Sequence, residues 1–262
     1  MNKLALITGA SGGIGLELAR LMATDSYDLA LVARNKQRLN EIALELEDKH
    51  SVKVKVIASD LAIPDAARGV YDELKAHNMD VNVLVNNAGV GDLGLFVERP
   101  LEKQMQMIHL NIGALTQLSH LFGKEMVETG NGKILNVAST AAFQPGPLMA
   151  VYFASKAYVL SLSEALANEF HGKGVTVTCL CPGPTSTSFM NNANIRDTSA
   201  KQKSFFATAE EVARFGYNAM KRGQPVAIEG FGNKLMAASA KFSPRPLVLK
   251  VVRNMYEKLK KE

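Results

Sequence analysis

A tyrosine and a lysine stand four residues apart in the run YFASK, Tyr152 to Lys156. On a helix this spacing puts the phenol and the ammonium on one face, a single turn apart. Tyrosine ordinarily titrates near pH ~10, and a fixed positive charge beside it favours the phenolate and draws its pKa toward the working range. The pair is therefore predicted to be a proton donor able to quench an alkoxide, with Lys156 lowering the pKa of Tyr152. The same spacing also serves simply to cover a helix flank, so its meaning depends on what surrounds it.

A second cluster lies near the amino terminus, where TGASGGIG follows an apolar run and Gly9, Gly13 and Gly15 frame a turn that opens a helix. Glycines let the backbone turn sharply and let a phosphate approach the helix amino terminus, where free N–H groups and the macrodipole favour negative charge. Gly9, Ser11, Gly12, Gly13, Ile14 and Gly15 read as a dinucleotide cradle. The spacing between the first two framing glycines is longer than in GxGxxG, so that fingerprint is matched loosely and a plain strand-to-helix turn is the alternative. The next strand-like run ends at Ala33 and Arg34. Sites that hold a ribose 2′-hydroxyl usually place a carboxylate here, whereas an arginine forks onto a 2′-phosphate, which favours NADP over NAD. A solvated arginine capping the strand is the bland alternative.

Rigid elements must hold these groups. Strand-like runs near Leu4, Asp28, Val52, Val81, Gly132, Val175 and Pro225 alternate with helical patterns starting near Gly13, Lys36, Pro64, Leu101, Tyr152 and Thr208. This order predicts an α/β fold: a single-domain, Rossmann-type, doubly wound parallel sheet of about seven strands with helices on both faces, binding ligands at the strands' carboxyl ends. The catalytic domain is expected over residues 1–230, with a substrate loop at 184–206 and a basic amphipathic extension at 231–262. The amino-terminal apolar run is too short for a signal peptide and no run is long enough to span a bilayer, which predicts a soluble, cytoplasmic protein. Cys179 and Cys181 lie two apart in VTVTCLC, on one strand face and poorly placed to bridge. The five histidines are scattered, and no catalytic metal is expected. From Phe231 onward eight basic residues face two acidic ones, leaving the body near neutral and unsuited to binding nucleic acid.

TGASGGIG, NNAG at Asn86 to Gly89, Asn111, Ser139, the Tyr152 and Lys156 pair, and PGPTST from Pro182 recur in order. As an ordered set over roughly the first 230 residues they resemble the short-chain dehydrogenase/reductase family, of the NADP-preferring carbonyl reductase type. The resemblance implies that Tyr152 is the general acid or base and that Lys156 lowers its pKa and binds the nicotinamide ribose. It implies that Ser139 holds the carbonyl oxygen and that Asn111 anchors a proton-relay water. It further implies cofactor contacts from Asp60 and Leu61 at the adenine, from Asn87, Ala88 and Gly89, and from Pro182, Gly183, Thr185 and Thr187 at the nicotinamide. Ser186 and Ser188 stand where several relatives carry charged side chains.

Phe143, Met149, Phe189, Met190 and Phe205 are candidate pocket residues, and a mostly apolar pocket suits a small hydrophobic carbonyl compound or its alcohol. In the tail, Val248, Val252, Met255 and Leu259 share one face of a basic amphipathic helix. Packing on the domain or on another subunit of a homo-oligomer, dimer or tetramer, is the first reading, and contact with a membrane surface the second. The expected function is NADP(H)-dependent reduction of a ketone or aldehyde. The rivals are a non-catalytic NADP(H)-binding sensor on the same fold and an NAD-dependent alcohol oxidoreductase.

Overall fold

The strand-like runs are apolar at nearly every position, as strands covered on both faces must be. A computed structural model describes residues 3–187, 189, 193 and 206–259, and in it all seven runs join one parallel sheet. The strands are β1 (Leu4–Thr8), β2 (Asp28–Ala33), β3 (Val54–Ala58), β4 (Val81–Asn86), β5 (Gly132–Val137) and β6 (Val175–Cys181), then the two-residue β7 (Thr185–Ser186) and β8 (Ala207–Thr208), then β9 (Val226–Ile228). The large sheet runs β3-β2-β1-β4-β5-β6-β9, while β7 and β8 pair separately. The chain reverses its direction of winding between β1 and β4, and the crevice opened there at the carboxyl ends is where a Rossmann-type fold receives its ligand.

Side chains alternate along each strand, so the sheet has two apolar faces. Ala5, Ile7, Leu29 and Leu31 meet α1 (Gly13–Thr24) and α2 (Lys36–His50) on one side, while Leu4, Leu6, Ala30 and Val32 meet α3 (Ala66–Ala76) on the other. The helical pattern after Leu101 is not one continuous α-helix. It runs as α4 (Leu101–Ile108), a π turn over His109–Ala114 and α5 (Leu115–Thr129), because one residue more than an α-turn holds is accommodated where Asn111 must face inward. Then come α6 (Ala150–Glu169) and α7 (Ala209–Lys221). Beyond residue 230 lie two helices rather than the one read from the sequence, α8 (Phe231–Phe242) and α9 (Arg245–Glu257). Pro244 forces the break: Ser243 before it is extended, and Pro244 itself caps α9.

Inside the sheet a polar chain crosses four elements. Asn86 Nδ2 donates to Ser119 Oγ at 3.0 Å and to Asn136 Oδ1 at 2.9 Å, and Asn136 Nδ2 donates to Ser163 Oγ at 3.0 Å. These side chains are all buried, so each bond replaces one that water would otherwise make. Asn136→Ala leaves Asn86 and Ser163 short of partners and should cost about 1–3 kcal/mol. Urea unfolding checks this: the midpoint should fall while the denaturant slope stays unchanged.

Candidate active site

Ser139 and Tyr152 arrive from different elements at the same place. Ser139 follows β5 and caps a 3-10 turn over Thr140–Phe143, its Oγ accepting from Ala141 N at 3.1 Å, while Thr140 N donates to Pro182 O at 2.9 Å and fastens the turn to the exit of β6. Tyr152 lies in the first turn of α6 and Lys156 one turn on, exposed by only 8% and 5%. Lys156 Nζ donates to Val137 O at 2.8 Å and lies 5.9 Å from the centroid of the Tyr152 ring. Burial pushes the Tyr152 phenol up to about 12, and a hydrogen bond with Ser139 pulls the other way. Burial also pushes the Lys156 ammonium down to about 8. In the protein alone, Lys156 does not offset the effect of burial on Tyr152. Removal from water disfavours both charged forms, and this burial favours the neutral phenol at Tyr152.

Asn111 has its carboxamide engaged at both ends. Oδ1 accepts from Val90 N at 3.0 Å, and Nδ2 donates to Val90 O at 2.9 Å and to Ser155 Oγ at 3.0 Å. Ser155 Oγ in turn donates to Tyr152 O at 2.7 Å. The side chain thus clamps the loop after β4 onto α6. Gly89 belongs to this clamp, since a Cβ there would lie 3.3 Å from Asn111 Oδ1 and 3.4 Å from Lys156 Nζ.

At the other end of the crevice the residues fit a dinucleotide. Helix α1 begins at Gly13 with Gly12 as its cap, no side chain bonds its first N–H groups, and its first turn holds no acid, so those donors are left for an anion. Gly13 has φ 56°, and a Cβ on it would press on Thr187 at 3.2 Å. Thr187 therefore packs on the glycine loop at Gly13. Asn87 Nδ2 donates to Thr8 O at 2.9 Å and to Gly9 O at 3.2 Å, and Ala88 N donates to Thr8 Oγ1 at 3.0 Å, which ties Gly9 to the end of β4, while Gly15 leaves room for Gly9 O and Asn87 Nδ2, which a Cβ there would strike. Arg34 is exposed and makes no ion pair with a described residue, leaving its fork for a phosphate. Asp60 accepts from Ala62 N at 3.0 Å through one oxygen only. Leu61 is buried in the core, so its contribution to a ligand is through its backbone. Thr185 Oγ1 donates to Gly183 O at 2.9 Å and holds the turn after Pro182.

Of the pocket candidates, Met149 and Phe189 join one apolar cluster with Tyr152, the Phe189 and Tyr152 ring centroids 5.3 Å apart. Phe143 does not. It joins a separate cluster with Ala138, Ala142, Val159, Cys179 and Cys181. Met190 and Phe205, with Ser188, lie outside the described residues. Two neighbours of Tyr152 escaped the sequence reading. Gly91 is one: a Cβ there would meet Phe189 at 2.7 Å, Met149 at 3.1 Å and Tyr152 at 3.4 Å, so only glycine lets the loop pass. The other is Tyr256, whose ring meets Phe153 edge-on at 5.5 Å, and whose hydroxyl is held protonated by burial, with Tyr152 nearby adding to the effect. Helix α9 carries Val248 and Val252 into the same cluster. Met255, expected on this inner face, is exposed. The spacing Val248, Val252, Tyr256 was the signal that would have found the inward row.

A family profile described as short chain dehydrogenase matches residues 3–198. The very-long-chain 3-oxoacyl-CoA reductase of Pyrenophora tritici-repentis is 35% identical over 222 residues, 81% of this chain and 64% of that protein. The 17-beta-hydroxysteroid dehydrogenase type 3 of Mus musculus is 34% identical over 200 residues, 73% of this chain and 64% of that protein. The chain therefore spans under two thirds of the length of these relatives. A short-chain dehydrogenase from Sphingobium yanoikuyae, solved in complex with NADPH, superposes with a TM-score of 0.82 at 30% identity, covering 99% of this chain and 97% of that one. By profile, relatives and fold together, the chain belongs to the short-chain dehydrogenase family of oxidoreductases.

Proposed function

We propose that the protein is an NADP(H)-dependent reductase of a hydrophobic ketone or aldehyde, running in reverse on the matching alcohol. The observation that carries this reading is a neutral phenol, Tyr152, hydrogen-bonded to Ser139 and opening onto the apolar cluster of Gly91, Met149 and Phe189. Bound along the crevice, a nicotinamide cofactor supplies the hydride. Ser139 orients the carbonyl oxygen and Tyr152 gives it a proton, so the alkoxide never has to persist in a dry site. Lys156 holds the nicotinamide ribose and stabilises the phenolate left behind, and Asn111 fixes the loop beside it and anchors the water through which protons return. Gly9, Ser11, Gly12, Gly13, Ile14 and Gly15 cradle the pyrophosphate, and Arg34 takes the 2′-phosphate. Two relatives named for 3-oxoacyl-CoA and hydroxysteroid chemistry, and a neighbour solved with NADPH, support a ketone on a bulky apolar skeleton and this cofactor. Free, buried Cys179 and Cys181 suit the reducing cytoplasm, and the family resemblance supports a homo-oligomer. A non-catalytic NADP(H) sensor on the same fold is disfavoured by the joint presence of Ser139, Tyr152 and Lys156.

Tyr152→Phe should bind NADPH with unchanged affinity and lose about 10²–10⁴-fold in turnover of a carbonyl panel. Unchanged NADPH consumption would point to another acid. Arg34→Asp should weaken NADPH by about 10–100-fold, the loss of charge-assisted bonds, and leave NADH nearly untouched when the two dissociation constants are compared by fluorescence. Equal binding of both cofactors by the unaltered protein sinks the 2′-phosphate assignment.

The pH dependence follows from Lys156. Its ammonium is charged below about 8 and lost above it, whereas Tyr152 keeps its proton to about 12. The kcat/KM for NADPH in the reductive direction should therefore decline as pH rises through about 8. Residual activity of Lys156→Arg, which stays charged, should lack that descent.

A further inference from the structure

Two apolar patches stand on the surface with different electrical surroundings. One is formed by Phe96, Val97, Leu101 and Met105 at the start of α4, and both signs of charge accompany it: Glu98, Arg99, Glu102 and Lys103. The other lies on α8 and α9. Along α8, Phe231, Leu235, Ala238 and Phe242 fall at i, i+4, i+7 and i+11, one stripe opposite the buried Ala237 and Ala240, with Phe231 and Phe242 exposed by 82% and 84%. Along α9, Leu247, Val251 and Met255 form an exposed row beside the buried row of Val248 and Val252. Here the rim is predominantly basic, with Glu257 the one acid on the two helices. Lys234, Lys241, Arg245, Lys250 and Lys258 make no ion pair with a described residue, and only Arg253 is paired, with Glu257.

We infer that α8 and α9 dock on an anionic lipid bilayer surface as an interfacial helix pair. Apolar stripes that sink into the acyl boundary, flanked by lysines and arginine that reach phosphate headgroups, are what such a surface selects. A second copy of the chain fits the α8 and α9 patch poorly, because like charges would meet across it; the mixed-charge patch at Phe96 suits protein better. No helix among the described residues is long and apolar enough to cross a membrane, so the contact lies in the plane of the interface. The inner row of α9 roofs the cluster around Tyr152, which places this cluster next to the docked surface. The docking itself rests on the two helices and not on the reaction proposed above.

Co-sedimentation of the full chain with vesicles of phosphatidylcholine alone, and of phosphatidylcholine mixed with phosphatidylglycerol, tests this. Binding should appear on the mixed vesicles, weaken with added salt, and be marginal on the neutral ones. Leu235→Glu with Phe242→Glu should abolish it. Lys234→Gln with Lys241→Gln should reduce it about tenfold or more. All these positions are exposed, so thermal unfolding should be unaltered, which separates lost docking from lost folding. Equal binding to both vesicle types, or none, overturns the inference. So does light scattering that shows an oligomer in the parent chain and a monomer in the Leu235→Glu, Phe242→Glu variant, since the stripe would then be a subunit interface.

Discussion

A buried ammonium sets the conditions at the active-site end of the molecule. Lys156 cannot reach water, and a charge in such a place must find partners or surrender its proton. The fold gives it one close carbonyl, Val137 O at 2.8 Å. The neighbouring thiol of Cys181 is no counter-charge, since its hydrogen bond with Cys179 and its burial keep it protonated. The ammonium is thus held loosely, and its surroundings are arranged to give it room: Gly89 has no side chain to intrude, and Asn111 turns its carboxamide onto Val90 and Ser155. A stronger counter-ion would fix the charge but would also compete with any ligand that Lys156 is to hold.

The polar groups of this end fall into two sets with different jobs. Asn86 and Asn136 are direct partners across β4 and β5, and their side chains join α5 to α6 through the sheet. One residue on, Asn87 turns outward, binds Thr8 O and Gly9 O, and fixes where the glycine loop stands. A single strand end therefore braces the core with one asparagine and positions the glycine loop with the next. Among the described residues the substrate end has no comparable polar hydrogen-bond chain. Its walls are Gly91, Met149, Phe189 and the inner row of α9, so size and shape there are set by packing, which tolerates change more readily than a buried hydrogen-bond chain.

This division explains how much could be read in advance. Seven strands were legible because parallel strands covered on both faces are rich in apolar residues, and the places of the glycine loop and Arg34 were legible because each sits directly at a strand's end. Tyr152 and Lys156 were legible as a pair because one helical turn separates them. The π turn at Asn111 was not, because it shifts the helical phase locally without altering composition. Nor was the neutral resting state of Tyr152, which depends on burial created by segments far apart in sequence: the loop after β4, α6 and α9. Phe143 falls in a different cluster from Tyr152, since aromatic character says nothing about which cluster a ring joins. Gly91 escaped because its neighbours Phe189 and Met149 come from other parts of the chain.

The last helix shows where composition alone leaves two answers open. A row at Val248, Val252 and Tyr256 and a row at Leu247, Val251 and Met255 are offset by one residue, and either would make an amphipathic helix with a basic opposite face. Packing decides between them, because the row ending in an aromatic ring finds Phe153 while the other is left facing out. Once the inner row is committed to the cluster around Tyr152, the helix can no longer rotate to hide the outer row without unroofing that cluster. The exposed apolar surface is thus a consequence of how the cluster around Tyr152 is closed, and whatever covers the outer row acts on a helix whose inner face bears on Tyr152 and its neighbours.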